Sequence, residues 1–167
     1  GIYSVAQMAG LIILFLPGAM AMVIFPKVAA ARARQEDSTA LLNKSLVLVG
    51  SFCFCGVLAF GLFPSTMHHL ITGKANPESA ALVIWFTLSM SFHALTMLIL
   101  FYHLASHNTR IVLPMIFTAI AEVITIYLYH PTLKSILFIL LFYSVIAFGF
   151  SLYMLKYVSS RLIHNHE

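Results

Sequence analysis

The sequence is poor in charge. Of its 167 residues only 8% are Asp, Glu, Lys or Arg, where soluble domains carry about 25%. That scarcity excludes a disordered chain and argues against a soluble globule. Cysteine is nearly absent too. Cys53 and Cys55 are the only two, and on a helix residues two apart point about 200° from each other. No disulfide or metal framework follows from them, and they read as small apolar packing residues. There is no Ser/His/Asp arrangement, P-loop or dinucleotide fingerprint. Neither a catalytic activity, a cofactor, a metal nor ATP-driven transport is therefore expected within the chain. The net charge of +4 and the pI near 9.2 come from nine scattered Lys and Arg. They form no basic patch, so no nucleic-acid partner is expected.

What the sequence has in excess is apolar residues, 61% of the chain, with a mean hydropathy of +0.98. A membrane-spanning helix needs roughly 20 mostly apolar residues. Five stretches qualify, at about 2–26, 46–70, 80–106, 111–129 and 136–155. The expected fold is an all-α, polytopic membrane helix bundle, read as a single membrane domain over 1–167 with no room for a soluble one. The 80–106 and 111–129 spans are joined so tightly that they are expected to be antiparallel neighbours. The last span, "ILFILLFYSVIAFGF", is apolar all round and reads as a peripheral, lipid-facing helix.

Orientation follows from the basic residues. With 27–44 in the cytoplasm, Lys27, Arg32, Arg34, Lys44, Arg110, Lys156 and Arg161 lie inside, and Lys74 and Lys134 outside. This is a clear positive-inside bias, and it puts the C-terminus in the cytoplasm. The 27–44 segment itself, with Lys27, Arg32 and Arg34 ahead of Glu36 and Asp37, reads either as a short amphipathic helix on the lipid surface or as a plain orientation signal. The chain begins with Gly and enters an apolar span at once, without the charged flank of a signal peptide. Five spans with an outside start are expected to be the C-terminal part of a longer protein.

Candidate site residues follow from polar groups at mid-depth, where a carboxylate costs about 2.5–3.5 kcal/mol on insertion scales. Glu122 is the one acid placed there, and Thr118, Thr125 and Tyr129 share its helix face. That stripe should face protein or water. In the preceding span Ser89, His93, Thr96, His103 and His107 fall within about 40° of one line, with His93 at mid-depth. Glu122 and His93 are thus candidates for a polar pathway or a proton site, with each other as the nearest partners. The plainer reading is that the hydroxyls bond to their own carbonyls or a neighbouring helix. Pro17, in Pro17-Gly18, is expected to bend the first span. Gly50, Gly56 and Gly61 read as close-packing positions. The pairs His68-His69 and His164/His166 offer too few ligands for a metal.

The opening "GIYSVAQMAGLIILFLPGAMAMVIFPKVAAARAR", followed by "LLNKSL", resembles the polysaccharide and oligosaccharide flippases of the multidrug/oligosaccharidyl-lipid/polysaccharide exporter superfamily. The pattern is Gly1, Tyr3 and Ala6, a long helix ending in Phe25-Pro26, a basic segment and a second long span. The stretch "LFPSTMHHLITGKANPESAALV" resembles the family's outer loop, with Gly73 in place but Asn76-Pro77 where the family commonly has Tyr. The resemblance implies the last five helices of the second of two six-helix lobes. Its implied partners are membrane lipid, a lipid-linked glycan substrate and an N-terminal lobe of the same chain. It also implies translocation across the cell membrane by alternating access. The competing expectations are a drug or cation antiporter of the same superfamily, for which Glu122 would be the coupling acid, and a five-span subunit with no transport role. A membrane enzyme built on the histidines lacks an acid spaced to orient His93 or His103.

Overall fold

Proline and the chain turns divide the apolar sequence into its helices. The computed structural model describes residues 2–34, 36, 38–72 and 77–164. In chain order the elements are α1 (Ile2–Ala33), α2 (Thr39–Leu62), α3 (Pro64–Thr72), α4 (Pro77–Ala105), a 3₁₀ turn (Thr109–Ile111), α5 (Val112–Leu128) and α6 (Leu133–His164). Among the described residues there is no strand. Five of the helices are long and apolar enough to cross a membrane, at Gly10–Ala31, Thr39–Leu62, Leu82–Ala105, Thr109–Leu128 and Leu133–Lys156. The chain is an all-α, multi-pass membrane helix bundle.

Two boundaries differ from those read in the sequence. The second span occupies Thr39–Leu62, not 46–70. Pro64 supplies no N–H to continue the helix, so α2 stops, Phe63 turns, and Pro64 opens α3 in the position proline favours. The basic segment forms no separate surface helix. The run "KVAAARA" consists largely of strong helix formers, so α1 carries on through Lys27 to Ala33, and α2 restarts at Thr39. Lys27 and Arg34 are exposed; the side chain of Arg32 lies outside the described residues. At 32 residues, α1 is about 48 Å long, well over the roughly 30 Å of a hydrocarbon core. It is helical through both Pro17 and Pro26, and Pro17 is fully buried in its inner seam.

α4 is the central helix. It packs against α1, α2, α3 and α6, and over half of its span is buried, against 6% for α5. One apolar cluster joins Ile13, Ile24 and Val28 of α1 to Val49 and Cys53 of α2 and Ala94, Leu98 and Ala105 of α4. A second joins Phe60, Leu82, Val83, Phe86 and Leu137, with Met67 of α3 against it. Lipid is as apolar as leucine, so close approach rather than hydrophobicity selects these seams. A methyl group on Gly10 would overlap the Phe86 ring, and one on Gly56 would overlap Ile13. A Cβ on Gly61 would sit 3.0 Å from Ile84, whereas Gly50 faces open space and is not a packing position. Cys53 is buried and Cys55 exposed, as their angular separation requires.

The neighbours of the last two spans correct the sequence reading. α5 packs along α6, not along α4, and α6 packs on α4. The reason lies in the turn after α4. His107 takes a left-handed conformation (φ 55°), Asn108 N–H donates to His103 O at 2.9 Å and His107 N–H to Leu104 O at 3.0 Å. This is the Schellman closure. It ends α4 and sends the chain through the 3₁₀ turn, anchored by buried Ile111, away from the α4 axis. The peripheral helix is therefore α5, which buries none of its residues fully. α6 is not peripheral: Leu137, Ser144, Ala147 and Ser151 form its buried face. Trp85–Phe138 and Phe92–Phe148 ring contacts, with centroids 5.0 and 5.6 Å apart, show that α4 and α6 run parallel.

The α1–α2 connection lies beside the C-terminal turn of α4, where Ser38 Oγ donates to the Tyr102 hydroxyl at 3.3 Å. Lys27, Arg34, Lys44, Arg110 and Lys156, all exposed, lie toward this basic end. Residues 73–76, with Lys74, lie outside the described residues.

Candidate functional site

α5 has one polar face, and that face is the covered one. Thr118, Glu122 and Thr125 are half-buried, while Phe117, Ile120, Val123 and Ile124 on the other side are exposed. Thr118 Oγ1 donates back to Pro114 O at 3.0 Å and Met115 O at 2.9 Å. Thr125 Oγ1 lies 2.8 Å from Ala121 O and 2.8 Å from the Tyr143 hydroxyl on α6. A threonine hydroxyl has one hydrogen. With it donated to Ala121, Tyr143 is the donor to Thr125, and this bond links α5 to α6. Glu122, one turn away on the same face, makes no hydrogen bond or ion pair with any described residue. Tyr129 leaves the stripe: the helix ends at Leu128, and Tyr129 turns out with 65% of its surface exposed.

The polar line on α4 is divided. Ser89, Thr96 and His103 are buried, on the side where Phe92 and Trp85 meet α6. Thr96 Oγ1 donates to Phe92 O at 2.9 Å. His103 Nδ1 lies 3.0 Å from Ile99 O, so it carries the proton and donates it. Nε2 is left as a buried acceptor without a partner among the described residues, as is Ser89 Oγ. His93 is exposed, and so is His107, whose left-handed backbone gives it a role in the chain reversal instead.

Because α5 lies on α6, Glu122 and His93 belong to helices that do not pack along each other. The expected pairing of the two has no support in the arrangement of the helices. Residues overlooked in the sequence are Tyr143, which makes the only polar side-chain link between α5 and α6 among the described residues, and Thr87 and Ser91 on the α1–α2 side of α4. Ser91 Oγ donates to Thr87 O at 2.8 Å. The one-turn spacing of Thr87 and Ser91 was the available signal; Tyr143 offered none inside an unbroken apolar run.

Among the described residues no group of three metal-ligating side chains comes together. Gly1, the side chains of Tyr3, Ala6 and His164, and His166 lie outside the described residues. No protein-family model, curated protein or solved structure matches the chain.

Proposed function

We propose that these five spans serve a membrane transporter that flips a lipid-linked oligosaccharide or polysaccharide precursor across the cell membrane by alternating access, with the basic end in the cytoplasm. The observation that carries this reading is Glu122. A carboxyl group at mid-membrane on the most peripheral helix is costly, and the helix turns it toward protein without giving it a partner among the described residues. Plain interhelical glue would be hydrogen-bonded, as Thr125 is. The resemblance of residues 1–45 to the flippases supplies the substrate class. Glu122 is then the group whose protonation changes during the cycle, and Thr118 and Thr125 line its face.

The test uses the full-length protein. Glu122→Gln keeps size and hydrogen bonding but cannot titrate, so glycan translocation should fall at least about tenfold, which is 1.4 kcal/mol on the rate-limiting step, with membrane insertion unchanged. Full, still proton-dependent translocation in Glu122→Gln defeats the coupling role. The half-buried ionisable group being an acid also favours a second reading, an antiporter of cationic compounds. Uptake of a cationic dye into vesicles, with no translocation of a lipid-linked glycan, selects that reading.

A further inference from the structure

We infer that the Tyr143 hydroxyl is a two-position donor: it bonds Thr125 while Glu122 carries its proton, and it turns to the Glu122 carboxylate when that proton is lost. This deepens the transport reading and rests on it for the use of the exchange, while the exchange itself is measured without transport.

The first observation is the direction of the bond. Thr125 gives its one hydrogen to Ala121 O at 2.8 Å, so the 2.8 Å contact with Tyr143 is donated by the phenol. Tyr143 therefore brings a hydrogen to the polar face of α5.

The second is where Glu122 stands. Glu122 and Thr125 are three residues apart on one helix, which places their Cβ atoms about 5–6 Å from each other. Both are half-buried on the side of α5 that α6 covers, and Tyr143 on α6 is half-buried too. A glutamate has three rotatable side-chain bonds. Its carboxyl and a phenol seated on Thr125 meet through rotamer changes, with no break in either helix.

The third is the choice of acceptor. A hydrogen bond to a carboxylate is roughly twice as strong as one between neutral groups. A phenol offered both takes the carboxylate. Here it takes the threonine and leaves Glu122 without a partner among the described residues, which is the arrangement of the neutral acid. No other described group competes for the carboxylate. On the elements packed against α5, Lys134, Tyr153 and Lys156 of α6 and Arg110 of the 3₁₀ turn are exposed. Each lies about 13 Å or more along the chain axis from Tyr143 or Glu122. On α5 itself Tyr127 is exposed, and His93 belongs to α4, which does not pack along α5.

The exchange has a mechanical consequence. It moves the polar side-chain tie between α5 and α6 by three residues, about 4.5 Å along α5. Tyr143 keeps its own proton in both positions; the proton that comes and goes is that of Glu122, exchanged with water. Tyr143 is thus a positioning residue, which converts the charge state of Glu122 into the placement of one helix on another.

Titration of the carboxyl tests this. The purified full-length protein is followed by difference infrared spectroscopy, and the carboxylic C=O band that disappears in Glu122→Gln reports Glu122. Tyr143→Phe removes the donor to the carboxylate, so the midpoint of that band should move to higher pH by about one unit. Thr125→Val removes the acceptor that holds the phenol beside the neutral acid, so the midpoint should move to lower pH by about half a unit. Thr125→Ser keeps the hydroxyl and should titrate as the unaltered protein does. A merely structural tie would lower thermal stability in Tyr143→Phe and Thr125→Val without shifting the midpoint in opposite directions. An unmoved midpoint in Tyr143→Phe, shifts of the same sign in both variants, or a band that does not titrate overturns the inference. Thr125→Val compared with Thr125→Ser carries the test by itself if Tyr143→Phe does not fold. Opposite shifts combined with full, proton-dependent translocation in Glu122→Gln leave the exchange standing and remove the coupling role of Glu122.

Discussion

Substituting alanine for the glycines of α1 and α2 should give effects of opposite sign, set by what each Cβ meets. Glycine inside a helix is less favourable than alanine by about 1 kcal/mol. At Gly18 and Gly50 an added methyl would find nothing within 4 Å, so Gly18→Ala and Gly50→Ala should stabilise the bundle by up to that amount. At Gly10 the same methyl would overlap the Phe86 ring and approach Met90 to 2.8 Å. Met90 has a flexible chain and can move aside. Phe86 is 5% exposed and held among Phe60, Leu82, Val83 and Leu137, so the helices must separate. Overpacking of this kind costs about 1–3 kcal/mol, which cancels or exceeds the propensity gain. Gly10→Ala should therefore fall below Gly18→Ala in stability by about 1–3 kcal/mol. Thermal unfolding of the purified full-length protein in detergent, followed by loss of the monodisperse peak, measures the difference. Adding Phe86→Leu to Gly10→Ala should recover part of it. If Gly10→Ala is as stable as Gly18→Ala, the close approach of α1 to α4 is wrong.

Other outcomes follow from single features. His107→Gly should raise thermal stability by about 1 kcal/mol, since the left-handed backbone penalises a Cβ and not glycine; a loss of stability would refute the turn. Ser144→Leu and Ala147→Leu should each destabilise by about 1–3 kcal/mol through overpacking against α4, while Phe142→Leu on the exposed side stays near neutral in the same unfolding assay. In the background lacking Cys53 and Cys55, Thr66→Cys should be labelled from outside intact cells and Thr109→Cys only after permeabilisation; the reverse pattern sinks the orientation.

The number of spans was legible because the bilayer sets a length that five stretches meet. Which helix lies inside was not. The apolar-all-round rule belongs to water-soluble bundles, where an uninterrupted apolar surface must be hidden. In lipid it carries no such meaning, and the real mark of burial in α6 was the small-residue spacing of Ser144, Ala147 and Ser151. The polar face of α5 was legible from periodicity, since Thr118, Glu122 and Thr125 repeat at helical spacing and end up half-buried together. Its neighbour was not, because a short connection fixes adjacency at one end only and His107 redirects the chain. On α4 the angular arithmetic was sound, yet it could not say where α6 ends; the edge falls between Ser89 and His93, about 40° apart.

The exposed face of α5 bears on how the protein enters the membrane. α6, the helix that covers Glu122, is made after α5, so the acid reaches the bilayer before its cover exists. The α5 sequence "VLPMIFTAIAEVITIYL" contains nine Leu, Ile, Val or Phe residues, each favouring insertion by about 0.3–0.6 kcal/mol. Together they match the roughly 2.5–3.5 kcal/mol that a central acid costs. The outward row of Leu113, Ile116, Phe117, Ile120, Val123 and Ile124, all exposed, is what allows α5 to leave the translocon as an independent segment carrying its carboxylic acid. Order of synthesis, as much as final packing, requires that row to be so apolar.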